Sequence, residues 1–370
     1  MEEYDRMEIQ HICSNICSGG TPKSTVEEYY GGTIPWLNTK EINFNRIYKT
    51  EKTITDEGLN NSSAKWIPAK SVIVAMYGAT AGKTAITQIP LTTNQACCNL
   101  TIDSTKADYR FVFYALCNDY AYLASLANGG AQQNLNAQQI REFEMPYPSL
   151  EEQECIADIL SSIDNKIDLN RRINDNLEQQ AQALFNEMFP HITEGENMIG
   201  DLIMPKRGKG LLSKNAIKGD IPVVAGGIEP ATYHNQANTT APVLTIAASG
   251  ANAGYINLWH IPVWASDSSY IDDSITPNVY FWYIMLKKRQ KEIFDAQVGS
   301  AQPHIYPKHI AELPMNVVFV EKIAEYNEIV TPIFEKKGQF FLESKRLTSL
   351  RDTLLPKLMS GELKITDISN

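Results

Sequence analysis

The run Ser71–Ile86, SVIVAMYGATAGKTAI, returns as Val243–Leu258, VLTIAASGANAGYINL, and this recurrence decides the architecture. Ala75/Ala247, Gly78/Gly250, Ala79/Ala251, Ala81/Ala253 and Gly82/Gly254 coincide at one constant shift. Downstream, GGAQQNLNAQQIREFEMP (129–146) matches GSAQPHIYPKHIAELPMN (299–316), with Gly129/Gly299, Ala131/Ala301, Gln132/Gln302, Ile140/Ile310, Glu142/Glu312 and Met145/Met315 in step. A repeat of this length is a domain and not a solenoid unit. The chain therefore reads as a tandem duplication, each copy a globular part followed by a long helix.

The helices announce themselves by period. In the first, Ile156, Leu160, Ile163, Ile167, Asn170, Asn174, Leu177, Ala181, Leu184 and Met188 alternate spacings of four and three, a heptad seam with Asn at its centre. In the second, Ile323, Tyr326, Val330, Ile333, Lys337, Phe340, Ser344, Leu347, Arg351, Leu354 and Leu358 do the same. Pro190 ends the first helix, and Pro332 is expected to kink or restart the second. At 1.5 Å per residue, about 40 residues make a rod of roughly 60 Å, which suits a spacer. The globular parts, with short apolar runs such as 71–77 and 243–248 broken by Gly, Pro, Asn and Thr, read as twisted sheet. Helices are expected over 109–127 and 279–295. The fold class is α+β: domains at 1–149 and 190–317, spacer helices at 150–189 and 318–360, and a tail at 361–370.

Composition excludes several classes. Apolar residues at 43% and charged residues at 21% describe a globular chain. The opening MEEYDRMEIQ is no secretory signal, and no apolar run is long enough for a membrane span. All six cysteines fall by position 155 (Cys13, Cys17, Cys97, Cys98, Cys117, Cys155), a distribution that suits reduced cytoplasmic thiols better than a disulfide framework. Net charge is −10, yet residues 151–190 alone carry 3 basic and 9 acidic groups. The two globular parts are close to neutral, at −3 for 1–150 and −1 for 191–315, so a polyanionic partner is permitted.

Catalytic motifs fail on inspection. Gly78-Ala79-Thr80-Ala81-Gly82-Lys83-Thr84 approaches a phosphate-binding loop but has three residues between its glycines where four are required. The sequence after it reads as strand and not as the helix whose N-terminus would face a phosphate, and the second copy replaces Lys83 by Tyr255. Cys13 and Cys17 lack a second ligand pair at zinc spacing. No nucleophile elbow, His-Glu-x-x-His or dinucleotide fingerprint occurs.

What is abundant is side chains suited to base edges, grouped in loops: Asn and Gln for adenine, Lys and Arg for guanine or phosphate, Thr methyls for thymine. The candidates in the first copy are Lys23, Asn38, Lys40, Tyr77, Thr80, Lys83, Asn94, Gln95, Gln132 and Gln133. In the second they are Lys206, Arg207, Lys209, Asn252, Tyr255, Ser266, Ser268, Gln302 and His304. Any one such cluster is commonly a solvated loop. Asn94 opposite Ser266 and Gln132 opposite Gln302 recur at equivalent places, which favours a shared role.

Taken together, these features resemble the specificity subunit of type I restriction–modification systems. The residues that carry the resemblance are Gly19-Gly20-Thr21-Pro22, Gly32-Thr33-Ile34-Pro35-Trp36 and Tyr77–Lys83, then Pro148–Gln153 leading into Ile156-Ala157, Lys166–Asn170, and Leu350–Leu358. The second copy departs from it, with Ile221-Pro222-Val223 for Ile34-Pro35-Trp36 and no Gly-Gly-Thr-Pro. The resemblance implies two target-recognition domains held apart by an antiparallel pair of coiled-coil helices, each domain reading one half of a split, asymmetric target in double-stranded DNA. It implies two methyltransferase subunits docked on the helices, restriction subunits in the full complex, and no catalytic residue or cofactor in this chain. S-adenosylmethionine, ATP and Mg would belong to the partners. The rival readings are a protein-binding scaffold without DNA contact and a P-loop enzyme.

Overall fold

A computed structural model describes residues 4–127, 134–299 and 302–364. The chain divides into two compact units: Met1–Ile167 with Arg346–Asn370, and Asp168–Lys345. Each holds mixed sheets and helices, and no described helix is long and apolar enough to cross a membrane.

In the first unit a five-stranded sheet runs in the order Cys13–Ser18, Cys97–Ile102, Val72–Ala75, Thr84–Thr87, Asn45–Ile47. The apolar run Val72–Ala75 is a central strand buried on both faces. Val72 and Val74 pack with Leu100, Phe111 and Leu116, while Ile73 and Ala75 pack with Ile47, Ala85 and Leu91. Adjacent Cys97 and Cys98 accordingly enter different cores, and all six thiols are free. A second sheet sets Tyr30–Leu37 between Lys52–Ile54 and Thr92–Thr93. The second unit repeats the plan with Lys206–Arg207, Ser268–Ile271, Val243–Ala247 and Ile256–Trp259 in one sheet. Its other sheet sets Ile221–Val224 between Thr232–His234 and Trp264–Ala265.

The expected helix over 109–127 is two helices, Tyr109–Asn118 and Tyr120–Ser125, and that over 279–295 is likewise Val279–Lys288 and Gln290–Asp295. The break falls at equivalent residues. Asp119 accepts a hydrogen bond from Asn118 (2.8 Å) and lies 3.8 Å from Arg6, and the buried Arg289 pairs with Glu292 at 2.5 Å. Arg289 also donates to the Pro314 carbonyl, so each break has one partner outside its helix pair, Arg6 or Pro314.

The long helices are Leu150–Met188 and Val320–Met359. No seam residue of either is exposed. Within the first unit Arg351 pairs with Asp164 at 2.9 Å, and Leu358 and Met359 join Ile156, Ala157 and Leu160 in the core. Within the second, Tyr326 donates to the Ala181 carbonyl (2.9 Å), and the Asn170 amide donates to Glu343 (2.9 Å) and Ser344 (3.3 Å). Low numbers of one helix meet high numbers of the other in both units, so the pairing is antiparallel. The expected interruption at Pro332 does not occur, because the helix runs through it. Pro332 and Glu328, whose carbonyl loses its helical donor, are both exposed, so water can take the place of the missing N–H.

His260 follows the strand Ile256–Trp259 and sits against Gly338 of the second long helix, where a Cβ would come within 2.9 Å of the imidazole. Burial pulls its pKa down to about 4. The unfolded chain then binds the extra proton between the ordinary value near 6.5 and the folded value, so stability is lost as pH falls through that window. The contribution is on the order of 3 kcal/mol at the acid end. His260→Gln is expected to lose less stability between pH 7 and pH 4.5 than the native chain in thermal melts; equal losses would contradict this.

Candidate nucleic-acid interface

The glycine-rich turns join strand to strand. Gly78–Thr80 forms a single 3-10 turn between Val72–Ala75 and Thr84–Thr87, with Gly78 and Gly82 at φ 73° and 83°. Gly250 and Gly254, at 80° and 87°, make the same turn in the second unit. Its hydrogen bonds repeat: Gly82 N to Ala75 O (2.8 Å) and Gly254 N to Ala247 O (2.7 Å), Lys83 N to Thr80 O and Tyr255 N to Asn252 O (both 2.9 Å). The turn leads into a strand and not into the helix that a phosphate-binding loop precedes. The Tyr77 ring is exposed beside it, and the backbones of Tyr77 and Asn134 pair as those of Ser249 and His304 do.

Three further segments meet at each site. In the first unit Gly20 N donates to Thr93 O (2.8 Å), Asn94 N to Leu37 O (3.0 Å), and the Thr21 hydroxyl to Gln95. A Cβ on Gly19 would overlap Thr93 and one on Gly20 would overlap Ser63 and Ala64, so both positions require glycine. In the second unit Lys209 N donates to Ala265 O (2.9 Å) and Ser266 N to Val224 O (2.8 Å). A Cβ on Gly208 would overlap Ala265. Lys206–Lys209 thus takes the place of the Gly-Gly segment, an equivalence that residue identity hides and backbone bonding reveals.

The tryptophans explain the other departure. Trp36 Nε1 donates to the Gly20 carbonyl (2.9 Å), and Trp264 Nε1 to the Lys209 carbonyl (2.8 Å). Trp36 aligns with Thr92 in one parallel strand pair, and Val223 with Trp264 in the other. The indole has moved to the opposite strand while keeping its acceptor.

The candidate side chains separate by exposure. Lys23, Lys40, Gln95, Lys206, Arg207, Lys209 and Gln302 are exposed, and Asn38, Thr80, Lys83, Asn252, Tyr255 and His304 are partly so. Lys40 pairs with Glu51 (2.5 Å) and Arg207 with Asp267 (2.6 Å), so both charges are already engaged within the fold. Lys83 Nζ donates to Asn43 Oδ1 (2.7 Å), and the Lys206 ammonium to Ser274 (3.2 Å). Asn38 caps a 3-10 turn, His304 stacks on Tyr306 with ring centres 5.9 Å apart, and Lys287 lies 4.8 Å from the Tyr255 ring. Asn94, Ser266 and Ser268 are bonded within the fold. All three are buried. Asn94 Oδ1 accepts from Ala96 N (3.2 Å), Ser266 Oγ from Leu211 N (2.8 Å), and Ser268 donates to Val224 O (3.3 Å). Gln132 and Gln133 lie outside the described residues.

Among the described residues no group of His, Cys, Asp and Glu is placed to hold a metal ion. The two units share one backbone scaffold that carries different loop side chains, a tandem duplication. Residues 1–179 match the family described as Type I restriction modification DNA specificity domain. The chain is 26% identical to the type I restriction enzyme MjaIX specificity subunit of Methanocaldococcus jannaschii, over 99% of this chain and 95% of that one. It is 26% identical to a putative type I specificity subunit of Mycoplasma genitalium, over 81% and 84% of the two chains. The crystal structure of a type I restriction–modification S subunit from M. genitalium shares the fold at a TM-score of 0.58 and 22% identity, over 96% of each chain. The resemblance to type I specificity subunits is thereby borne out, and such subunits are the non-catalytic members of their systems.

Proposed function

We propose that this chain is the DNA sequence-recognition subunit of a type I restriction–modification complex, acting in the cytoplasm. Each α+β unit reads one half of a split, asymmetric target, from the exposed loops around 19–25, 77–83 and 95 in the first unit and 206–211, 252–255 and 302–306 in the second. The repeated hydrogen-bonded turn and Gly-Gly/Gly-Lys scaffold, carrying different side chains in each unit, is the observation that supports this reading most directly. The long helices act as antiparallel coiled-coil spacer and as docking surface for two methyltransferase subunits; Glu151, Glu154, Asp175 and Glu187 of the first are exposed and acidic. Restriction subunits complete the assembly, and S-adenosylmethionine, ATP and Mg reside in the partners.

Nearly neutral recognition units release few counterions on binding. Affinity is therefore expected to belong to the complex: target duplex should bind far more tightly with methyltransferase subunits present than to this chain alone. Equal affinity in both cases would contradict the reading, and no duplex binding in either would favour a scaffold without DNA contact.

A further inference from the structure

The first unit carries a segment that the second lacks in comparable length. Between Lys52–Ile54 and Val72–Ala75 lie residues 55–71; between the equivalent strands Thr232–His234 and Val243–Ala247 lie only residues 235–242. The longer segment is held at both ends. Thr55 caps the short helix Asp56–Asn60 through Gly58 N (3.1 Å), and Ile67 pairs with Leu91 through two backbone bonds of 2.8 and 3.0 Å. Leu59 and Ala64 pack with Ile34, Trp36 and Ile54. Between these anchors the chain turns directly against the recognition loops, since Ser63 and Ala64 abut Gly20, whose neighbour Thr21 bonds Gln95.

What this placement exposes is chemically specific. Ser63 and Lys65 are exposed and the Trp66 indole is 51% exposed; Thr21 and Gln95, which bond each other next to Gly20, and Lys23 are likewise exposed. The indole has an apolar face and an N–H donor open to solvent, on the segment whose Ser63 and Ala64 abut Gly20. We infer that the segment Asn60–Trp66 is a further specificity-determining element for the half-site read by the first unit. Lys65 takes a phosphate, Trp66 packs on a sugar or thymine methyl at the groove wall, and Ser63 with Gln95 meets a base edge. The inference rests on the reading of this chain as a DNA-recognition subunit. Because the second unit has no such segment, the effect is confined to one half of the target.

The test uses the full chain with its methyltransferase subunits, carrying Ser63→Ala, Lys65→Gln or Trp66→Ala, with Trp66→Phe as the conservative control. Methylated sites are mapped, and binding to the mapped duplex is measured across salt concentrations. Ser63→Ala or Trp66→Ala should weaken binding at least about fivefold and relax the motif in one half only, with Trp66→Phe close to native. Lys65→Gln should leave the motif intact and reduce the salt slope by about one. Native motif and affinity within twofold in all variants, or equal relaxation of both halves, would overturn the inference while leaving the recognition reading intact. A native complex that methylates no bipartite motif would overturn both. Should Trp66→Ala lower the melting temperature, the surface changes Ser63→Ala and Lys65→Gln decide the matter.

Discussion

Phe185→Ala is expected to destabilise the second unit by about 3–5 kcal/mol, the usual cost of emptying a buried aromatic site. Phe185 is 0% exposed. Its ring centre lies 5.2 Å from Phe189, 5.4 Å from Tyr326 and 5.5 Å from Phe281. These neighbours come from the residue just past the first long helix, from the second long helix and from Val279–Lys288. One ring therefore ties three segments, and none can close the void without giving up contacts with the other two. Chemical denaturation should show the loss, and a change below about 1 kcal/mol would mean that the cluster does not carry this unit.

The second large effect is a change of specificity. Residues 1–190 alone are expected to form a homodimer that, with methyltransferase subunits, methylates a palindromic split sequence. In the full chain Ile156, Ala157 and Leu160 are covered by Leu358 and Met359, and Ala181 and Phe185 by Tyr326, Val330 and Phe334. The fragment lacks every one of those covering residues, so both ends of one apolar stripe lose their cover. Its seam is symmetric about its midpoint. Antiparallel copies would set Ile156 against Met188, Leu160 against Leu184, Ile163 against Ala181, Ile167 against Leu177, and Asn170 against Asn174. The two asparagines each keep a buried Oδ1 with no hydrogen bond in the full chain, and facing each other they gain amide donors. A symmetric dimer carries two copies of the first unit and selects the same half-site twice, inverted. A monomeric fragment by light scattering, or a dimer that methylates only the full chain's target, would contradict this.

Periodicity and self-similarity made the helix seams and the duplication legible, since both depend on spacings that survive divergence. The helix breaks at Asp119 and Arg289 were not, because Asp119 lies near Arg6 and Arg289 donates to the Pro314 carbonyl, partners distant in sequence. The same holds for the tryptophan that changed strands and for Lys206–Lys209 standing where Gly19-Gly20 stands: the conserved quantity is a backbone carbonyl and its donor, which no side-chain comparison displays. The burial of Asn94, Ser266 and Ser268 was hidden for a related reason. A small polar residue near a loop has the same sequence signature whether it satisfies buried backbone groups or faces a ligand. Lys65 and Trp66 escaped notice because an exposed indole cannot be told from a core one by sequence.

The proposed function is tested most directly by methylome sequencing of cells carrying the full chain with its methyltransferase partner. Two different half-sites separated by a fixed spacer, with both halves modified, is the expected result. Methylation at a single contiguous motif, or none that depends on this chain, would contradict it.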